Sequence, residues 1–269
     1  MNKVTRLKYY IESLCIYDFE DDDVFSALYD LLCDDEEDAV ALQSYFFKEL
    51  AKSESLKRHI SRLILTNDNI FTKAACAGKV NELSIAVINA VKSDLAKLEE
   101  IASLTAQDIL ADIDDEDIKE ILLTLPGWEV GKPLAPLDSH WDRQLDELIK
   151  YHRENGYGIY AKNIAFTWRD EEITPVNSID PIRLTDLKNY ELQRNKVIDN
   201  TESFIAGHPA NNVLLYGDRG TGKSSTVHAI LNEYWQKGLR MIEIPKSAVA
   251  DLSLIREQIA DSPMKFIIY

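Results

Sequence analysis

The stretch Gly217-Asp-Arg-Gly-Thr-Gly-Lys-Ser224 decides the fold of the C-terminal part of the chain. It fits the pattern G-x-x-x-x-G-K-[ST], whose glycines let the backbone turn tightly and approach a polyphosphate. The apolar residues 212–216 before it are typical of a short buried strand, and residues 223–236 after it of a helix. A strand, a loop and a helix in this order are the arrangement of a phosphate-binding loop. We therefore predict that this loop binds a nucleotide.

The role of each loop residue follows from its chemistry. Successive backbone N–H groups form a concave nest for an anion, and the N-terminus of the following helix adds its dipole. Lys223 is expected to place its ammonium on the β- and γ-phosphates, and the Ser224 hydroxyl to ligate Mg²⁺. Lys223 is thus the predicted catalytic residue and Ser224 the predicted metal ligand. The predicted cofactor-binding residues are Gly217, Asp218, Arg219, Gly220, Thr221, Gly222, Lys223, Ser224 and Ser225.

The segments around this loop predict an α/β fold. Helices are expected over residues 187–206, 223–236 and 251–260, and strands over residues 212–216, 239–244 and 265–269. Strands that alternate with helices predict a parallel sheet with right-handed crossovers. The glycine order is G-x-x-G-x-G, which does not fit the G-x-G-x-x-G of a dinucleotide-binding loop.

Hydrolysis of a nucleotide requires a further carboxylate, on a neighbouring strand, that holds Mg²⁺. We expect its natural carrier to be the strand that includes residues 266–269, yet the sequence stops before such a residue. Asp251, Glu257 and Asp261 are poor substitutes because they lie on or beside a predicted helix. The chain is therefore expected to be the front portion of a longer protein.

The N-terminal region is expected to be helical and acidic. Apolar residues recur at helical spacing through residues 3–125. The net charge is −16, with 46 acidic and 30 basic side chains, and residues 1–176 carry all of it. Such a surface repels phosphate backbones, which argues against nucleic-acid binding by this half. The acidic clusters at 20–23 and 34–38 lack the glycine of a calcium-binding loop, and we interpret them as helix caps and solvated faces.

In the middle of the chain the composition and the spacing of apolar residues change. Residues 126–139 are rich in Pro and Gly and indicate a linker or an ordered loop, followed by a helix over 140–153. Tyr157-Gly-Ile-Tyr and the alternation of Ile164, Phe166 and Trp168 predict two short strands. These aromatic residues are expected to pack against the neighbouring domain rather than stack on bases. The predicted domains are residues 1–125, an acidic helical domain; 126–180, a linker with short strands; and 181–269, part of a nucleotide-binding domain.

Composition also bears on location. No apolar run reaches the length of a membrane span, and the N-terminus has no apolar core of a secretion signal. Three cysteines lie far apart, without a C-x-x-C pair. We therefore predict a cytoplasmic protein with no membrane partner.

Several segments resemble one protein family. They are Pro181-Ile-Arg-Leu, Tyr190-Glu-Leu-Gln-Arg, Asn200-Thr-Glu-Ser-Phe, Pro209-Ala-Asn-Asn-Val-Leu-Leu-Tyr-Gly and Arg219-Gly-Thr-Gly-Lys-Ser-Ser. Together they resemble an uncharacterised bacterial family of AAA+ ATPases, known as a domain-of-unknown-function family, most strongly over residues 155–269. The resemblance implies an incomplete AAA+ phosphate-loop NTPase core with a parallel sheet, behind an all-α region. It also implies adenine contacts from residues 182–187, with Tyr190 a further candidate.

The resemblance implies ATP and Mg²⁺ as cofactors. The family's Walker B carboxylates, sensor residues and arginine finger have no counterpart in this sequence. The leading hypothesis is an ATP-binding protein whose complete form hydrolyses ATP to remodel or regulate an unknown protein partner. A homo-oligomeric ring is plausible for that complete form, and monomers or weak association are expected for this chain. The alternatives are a non-catalytic interaction protein and a phosphate-loop kinase; a GTPase fits worst, because no N-K-x-D-like tetrapeptide is present.

Overall fold

A computed structural model describes residues 1–33, 38–52, 55–176, 178–260 and 262–269. The chain divides into two compact units, Met1–Tyr151 and His152–Tyr269. This boundary differs from the three segments expected from the sequence, because the strands of the presumed linker belong to the sheet of the second unit. Among the described residues, no helix has the length and apolar character needed to cross a membrane.

The first unit is built from helices, as predicted for the N-terminal region. They are α1 (Lys3–Glu12), α2 (Asp23–Cys33), α3 (Ala39–Leu50), α4 (Leu56–Leu65), α5 (Ile70–Ala77), α6 (Ile85–Ile101), α7 (Ala106–Leu110), α8 (Glu116–Leu122) and the start of α9 (Leu145–Asn155). A 3₁₀ turn, Trp141–Arg143, precedes α9. Their apolar faces form one core around fully buried side chains such as Leu7, Leu28 and Trp141.

Carboxylates cap helices in this unit, as the sequence predicts. The Asp22 carboxylate accepts the Phe25 N–H at 2.9 Å at the start of α2. Asp115 accepts the Asp117 and Ile118 N–H groups at the start of α8. Asp38 precedes α3 without a side-chain cap, and the rest of its cluster, residues 34–37, lies outside the described residues.

The Pro/Gly-rich residues 126–139 form an ordered loop of the first unit. The Leu56 N–H donates to the Glu129 carbonyl at 3.0 Å, and the Lys57 N–H to the Val130 carbonyl at 2.9 Å. The indole N–H of Trp128 donates to the Leu104 carbonyl at 2.9 Å. These bonds anchor the loop to helices of its own unit, so of the two expected forms it takes the ordered one.

The second unit is an α/β layer structure. Its strands are β1 (Ala165–Arg169), β2 (Glu172–Pro175), β3 (Leu239–Glu243) and β4 (Lys265–Ile268). Its helices are α10 (Gly158–Lys162), α11 (Glu191–Ile205), α12 (Lys223–Tyr234) and α13 (Leu252–Gln258), after the end of α9. The strand order is β2-β1-β3-β4, with β1/β3 and β3/β4 parallel and β1/β2 antiparallel. The sheet is therefore mixed, which corrects the expectation of a wholly parallel sheet; the cause is the hairpin of β1 and β2.

The two faces of the sheet hold different apolar clusters. Side chains alternate along β3, so Leu239 and Met241 face α12 while Ile242 joins the cluster that includes Ile255 of α13. Helices on both faces bury the sheet, as an α/β fold requires. Phe166 and Trp168 are buried in β1 and share a cluster with Ile242 and Ile255 of the segment 181–269, as expected for packing against the neighbouring domain.

Two predicted strands are wrong. Tyr157-Gly-Ile-Tyr leads into the helical turn α10, from which the Tyr160 ring packs edge-on against Phe166 and Phe266. Residues 212–216 are not in the described sheet, and Leu214 and Tyr216 are 84% and 88% exposed. A strand needs a neighbour for its backbone N–H and C=O groups, and residues 212–216 pair with none of the four described strands.

Candidate functional site

The glycine-rich loop leads directly into α12, as predicted. Gly220 and Gly222 have φ angles of 82° and 81°, in the left-handed region that favours glycine. A Cβ at either position would meet nothing within 4 Å, so the backbone angle and not the available space requires glycine. Gly222 is the N-cap residue of α12.

The N-terminus of α12 presents free donor groups. Gly222 provides no side-chain cap, and the first turn carries no acidic residue. The first amide bond of the helix runs from the Thr226 N–H to the Gly222 carbonyl at 2.9 Å. The preceding amides of Lys223, Ser224 and Ser225 have no acceptor one turn earlier within the helix. With the positive end of the helix dipole, they suit an anion.

The Lys223 side chain folds back over the loop. Its ammonium donates to the carbonyl oxygens of Gly217 at 2.9 Å and Asp218 at 2.7 Å, and to the Thr221 hydroxyl at 3.3 Å. The Thr221 hydroxyl in turn donates to the Asp218 carbonyl at 2.9 Å. The lysine charge therefore lies inside the loop, beside the α12 N-terminus.

A cavity of about 530 Å³ opens beside this loop. Five of the nine predicted binding residues line it: Gly217, Asp218, Thr221, Gly222 and Lys223. Arg219 and Gly220 are exposed in the loop and do not line it; neither does Ser225, which is half-buried on α12, nor Ser224. Ser224 instead contacts Tyr269, with 2.5 Å between the two hydroxyl oxygens.

The opposite wall of the cavity comes from the start of α11 and the segment before it. Leu187 and Tyr190 line this wall, the first from the segment 182–187 expected to contact adenine. The Arg194 guanidinium donates to the Leu187 carbonyl at 2.8 Å and fixes that segment against α11. Asn232 of α12 donates to the carbonyls of Asp180 and Ile182, at 2.8 and 2.9 Å. The two walls are thus held together by side-chain bonds to backbone oxygens.

The cavity is positively charged, although the chain as a whole is acidic. Four cationic side chains line it against one carboxylate, that of Asp218; they are Lys188, Arg194, Lys196 and Lys223. The sequence pattern identifies Lys223 alone, because Arg194 and Lys196 belong to α11 and Lys188 to the segment before it, some 30 residues earlier. Arg194 and Lys196 lie two positions apart on α11, and this pair is the local signal of basic residues in the sequence there.

The structure offers little protein coordination for a metal. Among the residues that it describes, no group of three or more His, Cys, Asp or Glu side chains could hold an ion. The Asp251 carboxylate accepts the Trp168 indole N–H at 3.0 Å and does not line the cavity with Lys223. Asp261 lies outside the described residues. A cation at Ser224 would therefore take further oxygen ligands from a bound phosphate and water.

The fold and this loop define an α/β unit with a glycine-rich loop at the start of a helix, next to a helical unit in the sequence. Residues 161–269 match the family described as "Protein of unknown function (DUF815)". The expected similarity to a family of unknown function is confirmed for this part of the chain; its AAA+ affiliation stays a prediction. No curated protein and no solved structure matches the chain.

Proposed function

We propose that the second unit binds ATP together with Mg²⁺ through the loop before α12. The observation that carries this proposal is the coincidence of three features at one cavity: free helix amides, the Lys223 ammonium and a positive lining. Each favours a polyphosphate, and together they leave one orientation for it, with the phosphates at the α12 N-terminus.

Phosphate binding would exchange the partners of Lys223. Its ammonium now contacts neutral carbonyl and hydroxyl oxygens. Phosphate oxygens carry formal charge and make stronger, charge-assisted hydrogen bonds. The exchange is therefore favourable, and it needs only a rotation of the side chain, because the loop backbone already curves around the lysine.

The base would lie against the far wall of the cavity. Its volume of about 530 Å³ is in the range of small-molecule sites. Leu187, Tyr190 and Val213 give this wall apolar surface, and Tyr190 has a positive φ of 55°, which presents its side chain at the start of α11. An adenine between such side chains gains burial of its faces. The assignment of adenine rests on the family resemblance of residues 182–187.

Ser224 would hold the cation that accompanies the nucleotide. Its hydroxyl is at the first turn of α12, one residue after Lys223. When bound, Mg²⁺ would neutralise part of the phosphate charge. The chain would contribute one ligand oxygen to the cation, that of the Ser224 hydroxyl, at the edge of the proposed anion site.

We further propose that the complete protein is an AAA+-type ATPase that remodels or regulates a protein partner. Support comes from the phosphate-binding loop in an α/β unit and from the separate helical unit of net charge −15, with 31 acidic and 16 basic residues. A second candidate is a nucleotide-regulated protein that does not hydrolyse ATP. The observation in its favour is that, among the described residues, Asp218 alone brings a carboxylate to the lining of the cavity.

Hydrogen exchange in the presence and absence of Mg²⁺-ATP tests the site. We expect slower amide exchange over residues 213–226 and 187–194, since these line the cavity, and no change in α1–α6. The control ligand is Mg²⁺ with adenosine, which lacks the phosphates and should protect residues 217–226 far less. Equal protection by both ligands, or protection confined to the first unit, would refute the assignment. Measuring released phosphate in the same samples separates an ATPase from the non-hydrolytic candidate.

A further inference from the structure

Tyr269 is fixed by the sheet. Its N–H donates to the Ile242 carbonyl at 2.9 Å, and its carbonyl accepts the Ile244 N–H at 2.8 Å. The residue therefore extends the parallel pairing of β4 with β3, and its ring starts from a defined backbone position. From there its hydroxyl reaches Ser224 at 2.5 Å, at the first turn of α12.

The contact matters because a hydroxyl has a limited number of hydrogen-bonding groups. A serine hydroxyl has one proton and two lone pairs. When it ligates a cation, a lone pair points to the cation and the proton must go to another acceptor. In helices that acceptor is often a backbone carbonyl one turn back, as for Thr226, whose hydroxyl donates to the Gly222 carbonyl at 2.8 Å. Ser224 instead contacts the Tyr269 hydroxyl, and either of the two oxygens can donate to the other.

We propose that Tyr269 is a positioning residue for the cation site: its hydroxyl accepts the Ser224 proton and turns a Ser224 lone pair toward the Mg²⁺ that accompanies the nucleotide. The inference rests on the proposed function. It also gives the loop a direct connection to the end of β4. Groups that orient metal ligands in this way commonly change metal affinity tenfold or more, and for two neutral hydroxyls we expect about threefold to tenfold.

The test compares the affinity for ATP with Mg²⁺ and with EDTA, by calorimetry on the full chain. The ratio of the two dissociation constants is the gain from the metal. In Tyr269→Phe we expect this gain to fall about threefold to tenfold, with the affinity in EDTA unchanged, because the phosphates bind the amides and Lys223. The matched control is Tyr9→Phe, an exposed tyrosine of the first unit, which should keep the wild-type gain.

A double-mutant cycle with Ser224→Ala shows whether the effect acts through Ser224. Ser224→Ala should abolish most of the metal gain, and adding Tyr269→Phe should then change nothing further. An unchanged or larger gain in Tyr269→Phe, an equal loss in EDTA, or a full metal gain in Ser224→Ala would each overturn the proposal while nucleotide binding stands. If the wild type binds no ATP under either condition, the proposed function fails and this inference with it. Melting curves of the ligand-free variants confirm that each is folded.

Discussion

Asp94 shows how one residue organises the first unit. Its side chain is completely buried in α6, where one carboxylate oxygen accepts the N–H groups of Cys15, Ile16 and Tyr17 at 2.9, 2.7 and 3.3 Å. Lys97 lies 3.7 Å from the other oxygen. The carboxylate thereby satisfies three amides that the turn after α1 leaves without helical partners. Burial, with the Asp94 charge adding to it, raises the pKa of the Tyr17 hydroxyl far above its ordinary value.

Replacing this carboxylate should be costly. Asp94→Ala leaves three N–H groups without their acceptor, and we expect the free energy of unfolding to fall by about 2–4 kcal/mol. Urea denaturation at pH 7 measures the change. Asp30→Ala, which removes an exposed carboxylate from α2, is the control and should stay within about 0.5 kcal/mol of the wild type. A loss below about 1 kcal/mol for Asp94→Ala would show that water replaces the carboxylate.

At the scale of elements, a side-chain contact between Asp22 and His59 joins the start of α2 to α4. Asp22 caps α2, and its carboxylate also lies 2.7 Å from Nε2 of His59 in α4. Burial by itself would raise the pKa of Asp22, but the hydrogen bonds from His59 and from the Phe25 N–H outweigh it and hold the pKa below its ordinary value. The ionised carboxylate is thus preferred in the folded state.

The pH dependence follows from the sign of this shift. A lowered folded-state pKa stabilises the fold above the unfolded pKa of about 3.9, and this stability is lost as the pH falls through the folded-state value. We expect Asp22→Asn, which keeps a capping oxygen, to be less stable than the wild type at pH 7 and to lose less stability on acidification to pH 3. Denaturation free energies at pH 7, 5 and 3 provide the comparison, with Asp30→Asn as control. Parallel profiles for wild type and Asp22→Asn would contradict the assignment.

Local patterns in the sequence predict most elements but not their partners. Helical spacing identifies the helices of the first unit, and alternation identifies β1, because these periods reflect burial of one face. Residues 212–216 have the composition of a buried strand, yet pairing depends on which edges of the sheet are available. Tyr157-Gly-Ile-Tyr has residue types typical of a strand but leads into a helical turn, in which the Tyr160 ring packs against Phe166 of β1 and Phe266 of β4.

The candidate site likewise has residues that the sequence pattern predicts and residues that only the packing brings together. The glycines, Lys223 and Ser224 belong to one continuous pattern, so the sequence alone locates the candidate site. Lys188, Arg194 and Tyr269 come from segments about 30 residues before and 45 residues after the loop, and no spacing rule relates them to it. They become part of the site only through the packing of α11, α12 and β4.

The two units of the molecule differ in net charge as well as in structure. The first unit carries a net charge of −15, whereas the second, with 15 acidic and 14 basic residues, carries −1. The charge of the first unit therefore repels a polyanion, whereas on the second unit the cations that line the cavity beside α12 favour one. Because of this contrast in charge, we expect a nucleotide that binds to the full chain to lie in that cavity.

Calorimetric titration of the full chain with Mg²⁺-ATP tests the central claim most directly. We predict saturable binding at one site, weakened in Lys223→Ala by about 1.5–3 kcal/mol, the scale of a charge-assisted hydrogen bond, or roughly tenfold to over a hundredfold in affinity. Lys246→Ala removes an exposed cation that does not line the cavity and should bind like the wild type. No binding by the wild type, or the same affinity in Lys223→Ala and Lys246→Ala, would contradict the account.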